Sequence, residues 1–143
     1  MNKVICLWAS PRNISTALMY SFAQRNDVKV IDEPFYAYYL THINPNINHP
    51  GKKEILISQS IDFNTILKEI EILSQKNNYL FIKNMTHHLK LNDFSFANRW
   101  INIVLIRDPK DSITSFSKVI SNPTIDDLGY KLQYDLVKFF KKN

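Results

Sequence analysis

Three polar segments of this 143-residue chain each follow an apolar run, and together they hold the side chains that anion chemistry needs. The first is Ser10-Pro11-Arg12-Asn13-Ile14-Ser15-Thr16, behind the run at 4–8. A helix starting there presents unpaired backbone N–H groups and a positive dipole end to an anion. Asn13, Ser15 and Thr16 add side-chain donors, and Arg12 adds charge. This is the equipment of a phosphate-binding loop, although the Walker A spacing GxxxxGK[ST] is absent and the segment has no glycine. A plainer reading stays open, in which Ser15 or Thr16 caps the helix and Arg12 is solvated.

The second segment is Arg107-Asp108-Pro109-Lys110-Asp111, with Ser115 further along the helix that Asp108 and Pro109 start. Arg107 sits at the end of its strand, where a guanidinium fork can grip a phosphate with two bonds. Ser115 can join it if its helix face points inward. The alternative for Arg107 is a salt bridge to Asp108 or Asp32. The third segment is Lys83-Asn84-Met85-Thr86-His87-His88. Either His87 or His88 can serve as a general base, but neighbours on an extended chain diverge, so one at most should reach a centre. Asp32 and Glu33, after another short strand, are further candidate bases; a helix cap before Pro34 or a partner for Arg12 are their structural alternatives. No metal site is expected from two diverging histidines and a lone cysteine, Cys6.

The elements that must hold these groups follow from hydrophobic pattern. Apolar runs at 4–8, 28–31, 79–83 and 101–106 predict strands, and the last two read as covered on both faces. Helices are expected at 14–25, 63–75, 109–120 and 125–142, with Gly129 weakening the last, a helical turn at 35–40 and an exposed loop at 41–53. On the first helix, Ile14, Leu18 and Phe22 share a face. This alternation describes an α/β fold, a mainly parallel sheet with helices on both faces, as a single domain over 1–143. Ligands bind such sheets beyond the C-terminal ends of the strands, where all three polar segments lie. The net charge of +5 suits an anionic ligand, but its cations are scattered and no nucleic-acid motif is present. With no long apolar span and no leader pattern, a cytoplasmic protein with no membrane partner is expected.

In this order, the segments resemble the sulfotransferase family of P-loop proteins. LWASPRNISTALMYSFAQR followed by VIDEPFYAYYL is most similar to its bacterial sulfotransferase-like branch, and IRDPKDSITSF resembles the second family motif. The resemblance implies 3′-phosphoadenosine 5′-phosphosulfate (PAPS) as donor, and transfer of its sulfuryl group to a hydroxyl or amine of a small-molecule acceptor, without a metal. It places Ser10, Pro11, Arg12, Asn13, Ser15 and Thr16 around the phosphosulfate, with Arg12 at the position of the usual Lys, acting on the leaving phosphate. It places Arg107 and Ser115 on the 3′-phosphate, and makes His87, His88 or Glu33 the base. It also implies a C-terminally shortened chain, since family members continue with a further strand and much of the acceptor pocket. Two rival functions remain at this point. One is a non-catalytic nucleotide-binding or interaction module, self-associating through an open sheet edge. The other is a degenerate P-loop kinase using ATP.

Overall fold

A computed structural model of the chain describes residues 3–47, 49–90, 94–118 and 121–142. Its strands are β1 (Val4–Ala9), β2 (Val28–Asp32), β3 (Tyr79–Met85) and β4 (Ile101–Val104). All run parallel, in the order β2-β3-β1-β4. Around them lie α1 (Ser15–Ala23), α2 (Tyr36–Tyr38, continued by a π-helical turn at Tyr39–Ile43), α3 (Lys52–Ser58), α4 (Phe63–Lys76), α5 (Pro109–Phe116), α6 (Ile125–Leu128) and α7 (Tyr130–Lys142). The α/β class and the parallel sheet are those the hydrophobic pattern predicts.

Alternation along β1 builds the two core layers. Val4, Cys6 and Trp8 point to one face, where Ile66 and Ile70 of α4 and Leu136 of α7 complete a buried cluster with Leu80 and Ile82 of β3. Leu7 points to the other, against Phe81 and Met19 of α1. Trp8 is pinned by an edge contact with Phe94 at 5.7 Å and by its indole N–H, which donates to Asn102 at 2.8 Å. α4 has the expected amphipathic form, and Asp62 caps it by accepting from the Thr65 amide at 2.7 Å.

Several expectations need correction. The region 41–53 is not one loop: it opens within the π turn and ends inside α3, which buries no residue and so leaves no amphipathic signature. Ile14 does not join the apolar face of α1. It adopts a left-handed φ of 67° just before the helix and is 64% exposed, and neither Ser15 nor Thr16 caps. β3 runs on to Met85 because Trp8 and Ala9 extend the pairing to Asn84 and Met85. β4 stops at Val104 and is not covered on both faces: Ile101 is 50% and Ile103 38% exposed. These two pair with Ile5 and Leu7, on the face covered by α1, but α1 packs over β2 and β3 and leaves the edge strand bare. α5 ends at Phe116, and residues 119–120 of the expected helix lie outside the described residues. The last helix breaks at Gly129, whose φ of 68° closes α6 in the left-handed conformation that glycine adopts without strain.

Candidate active site

Beyond the C-terminal ends of the strands lies a cleft of about 370 Å³ lined by Ser10, Arg12, Asn13, Ile14, Ser15, Thr16, Glu33, Lys83, Met85, Arg107 and Ser115. It unites residues of all three polar segments and of the β2 end. Pro11 belongs to the first loop without lining the cleft.

Three of its residues have left-handed backbones: Arg12 (φ 62°), Ile14 (φ 67°) and Glu33 (φ 47°). Such conformations cost roughly 1–3 kcal/mol each in residues with a Cβ and persist only where the surroundings hold them. The holding bonds are visible. Arg107 Nη1 donates to the Arg12 carbonyl at 2.8 Å. The Leu18 amide donates to the Ile14 carbonyl at 3.3 Å, and the Glu33 amide donates to the Lys83 carbonyl at 2.8 Å.

Two charge systems share the cleft. On one wall, Arg12 Nε donates to Ser115 Oγ at 3.0 Å, joining the first and second segments directly. Neither structural alternative for Arg107 is realised. Asp108 caps α5 by accepting from the Lys110 amide, Asp32 pairs with Lys83, and among the described residues Asp111 is the carboxylate that approaches Arg107, at 4.0 Å. Among the described residues Arg12 has no carboxylate partner, so the wall carries cationic charge free to meet an anion. On the other wall, the buried Lys83 ammonium contacts Glu33 Oε1 at 2.6 Å and Asp32 Oδ1 at 2.7 Å, and donates to Thr16 Oγ1 at 3.4 Å. Burial pushes the Glu33 carboxyl above its ordinary value, against the hydrogen bond and charge of Lys83. Burial also disfavours the Lys83 charge, but the hydrogen bonds to Asp32 and Glu33 outweigh it and raise its pKa.

The histidines are placed differently from the expectation. Thr86–His88 form a 3₁₀ turn rather than extended chain, so His87 and His88 do not diverge; their rings meet edge to face at 4.7 Å. Neither lines the cleft. His88, 3% exposed, stacks against both Tyr36 at 4.5 Å and Tyr39 at 4.7 Å, with Nδ1 4.0 Å from Glu33 Oε2. Burial holds it well below the usual histidine range. His87 turns toward Gly129, and burial lowers it to about 4. Lys83 and Met85 line the site without having been singled out from sequence. The signal was a lysine closing the apolar run YLFIK on a buried strand, a position that burial permits only to a paired charge.

The family model for the sulfotransferase domain matches residues 2–139. The chain belongs to the sulfotransferase domain family. Two Arabidopsis thaliana proteins, branched-chain-amino-acid aminotransferase-like protein 2 and protein 1, are 36% and 33% identical to it over 118 and 128 residues. Those matches cover 82% and 89% of this sulfotransferase-family chain but 21% and 22% of the relatives, so the chain spans about a fifth of their length. A chain of the Pnkp1/Rnl/Hen1 RNA repair complex superposes with a TM-score of 0.54 at 10% identity, over 99% of this chain and 46% of its own. That likeness is one of fold. No helix among the described residues is long and apolar enough to cross a membrane.

Proposed function

We propose that this sulfotransferase-family chain binds PAPS and transfers its sulfuryl group to a hydroxyl or amine of a small-molecule acceptor. The observation that carries the reading is the cleft itself, where the cationic pair Arg12 and Arg107 and the carboxylate of Glu33 face one space. The start of α1, with Asn13, Ser15 and Thr16, receives the phosphosulfate end. Arg12 stabilises charge growing on the leaving 5′-phosphate. Arg107 and Ser115 take the 3′-phosphate, which replaces the Arg12–Ser115 contact.

Glu33 is the base we favour, since it lines the cleft while His87 and His88 do not. Its Oε1 is held by Lys83, leaving Oε2 to accept the acceptor's proton. The acceptor oxygen or nitrogen forms the new bond to sulfur as the bond from sulfur to the bridging phosphate oxygen breaks. The released product is 3′-phosphoadenosine 5′-phosphate.

The test is a thermal-shift titration with 3′-phosphoadenosine 5′-phosphate beside ATP with Mg²⁺. A ligand at a hundred times its dissociation constant adds about 2.7 kcal/mol. Stabilisation by the 3′-phosphorylated nucleotide is expected; a shift with ATP alone favours a kinase-type site and overturns the reading. A second reading, an interaction module that self-associates, rests on the uncovered Ile101 and Ile103 of edge strand β4. It predicts a mass that rises with protein concentration in sedimentation and falls back to the monomer in Ile103→Lys.

A further inference from the structure

β1 and β4 end side by side, and both proposed ligand-binding segments leave the sheet there. The Leu105 amide donates to the Trp8 carbonyl at 2.9 Å, continuing the pairing one step beyond β4. Ser10 lies two residues after Trp8, and Arg107 two residues after Leu105. Into this fork reaches Gln133 of α7, only 4% exposed. Its Nε2 donates to the Leu105 carbonyl at 3.1 Å and to the Trp8 carbonyl at 3.4 Å. Asn13, also 4% exposed, donates from Nδ2 to the same Leu105 carbonyl at 3.0 Å and to Ser10 Oγ at 3.4 Å.

A carbonyl oxygen has two lone pairs, and here one carboxamide from the first loop and one from α7 occupy both. The shared carbonyl helps to orient each amide, because a carbonyl can receive only the NH₂ end, and the Trp8 carbonyl adds to this for Gln133 as Ser10 Oγ does for Asn13. Asn13 Oδ1 and Gln133 Oε1 are buried and accept from no protein group among the described residues. The NH₂ ends therefore carry the whole fixation of both side chains, and a buried amide that loses its bonds has every reason to turn. Hydrophobic packing of α7 needs no such group: Leu136, one turn on and fully buried, serves that purpose.

We infer that Gln133 is a positioning residue which, through the Leu105 carbonyl it shares with Asn13, holds the loop 10–16 and the Arg107 backbone in their binding arrangement. Its bearing on sulfuryl transfer rests on the function proposed above; the coupling of α7 to the loop does not.

The test is amide hydrogen exchange on the whole chain, which reports local opening separately from global unfolding. Gln133→Leu keeps the volume and removes the donor. Exchange across 10–16 and 105–107 should accelerate about tenfold, the size of one lost buried hydrogen bond, while β2 and α4 keep their rates. Leu136→Ala, a core truncation on the same helix, should lower the melting temperature without that local acceleration. Approached from the other end, Asn13→Ala should accelerate exchange around residue 133, and Gln133→Met should repeat Gln133→Leu. Unchanged exchange at 10–16 in both Gln133 variants, or equal acceleration in Leu136→Ala, overturns the assignment. Titration of the same proteins with 3′-phosphoadenosine 5′-phosphate reads the functional consequence, expected as roughly tenfold weaker binding in Gln133→Leu. Failure of the unsubstituted chain to bind it counts against the proposed function and leaves the exchange result to decide the coupling.

Discussion

Arg107 donates to the backbone carbonyl of Arg12 at 2.8 Å, so a strand end in the second half of the chain holds the left-handed turn of a loop near its start. With Arg12 in turn reaching Ser115, the two arginines and the serine form one connected wall. Removing any of them therefore acts on ligand binding in a distinguishable way.

Ser115→Ala should weaken 3′-phosphoadenosine 5′-phosphate by about five- to tenfold, one hydrogen bond's worth, and leave adenosine 5′-phosphate nearly unchanged. Arg107→Ala should cost the first ligand more, by roughly tenfold to a hundredfold for a charge-assisted pair, and the second a little, because the Arg12 carbonyl is also released. Isothermal titration checks both. Equal losses for the two nucleotides in Ser115→Ala would remove the 3′-phosphate from this wall.

Arg12→Ala should depress turnover far more than product binding, since a cation that meets growing charge acts chiefly in the transition state. Steady-state kinetics beside product titration tests it. A loss confined to KM would make Arg12 a simple binding group.

The pH profile should carry the signature of Glu33. Burial raises its pKa, so the base is lost to protonation at a higher pH than for an ordinary glutamate. The acidic limb of kcat/KM should accordingly lie higher than an ordinary glutamate would put it, and Glu33→Gln should abolish it with a drop of about 10²–10⁴ in kcat. Lys83 opposes the shift, so Lys83→Met should move the limb further toward neutral pH. An unmoved limb in that variant would separate Lys83 from the base.

Stability should fall on mild acidification. Burial lowers His87 from 6.5 to about 4, so between those values the unfolded chain takes up a proton that the folded one refuses. The contribution is intact above pH 6.5 and is lost progressively down to about pH 4, by about 3 kcal/mol at most. His88, lowered in the same sense, adds to it. Urea midpoints from pH 7 to 5 measure the slope, which His87→Phe should reduce. A flat profile would contradict the burial of both rings.

Hydrophobic period made the fold class legible before any coordinates: short apolar runs bury on both faces only in a parallel sheet with helices on each side, and α4 and β3 follow directly. Less local features were not legible. α3 buries nothing, so its sequence has no period to read, and β4 reads as a buried strand although its neighbours leave one face bare. The turn that brings His87 and His88 together packs against Tyr36, Tyr39 and Gly129, residues distant in the chain.

By itself the sequence determined that cationic and hydroxyl side chains follow the strand ends, because residue type and strand periodicity are local properties. Only the tertiary structure decided which of them meet. The contacts of Arg12 with Ser115, Lys83 with Glu33, and Gln133 with the Leu105 carbonyl join residues far apart in sequence, each by a single hydrogen bond or ion pair. Distances of that kind are set by how the sheet orders its strands and how the helices pack on it, which no local pattern of residues encodes.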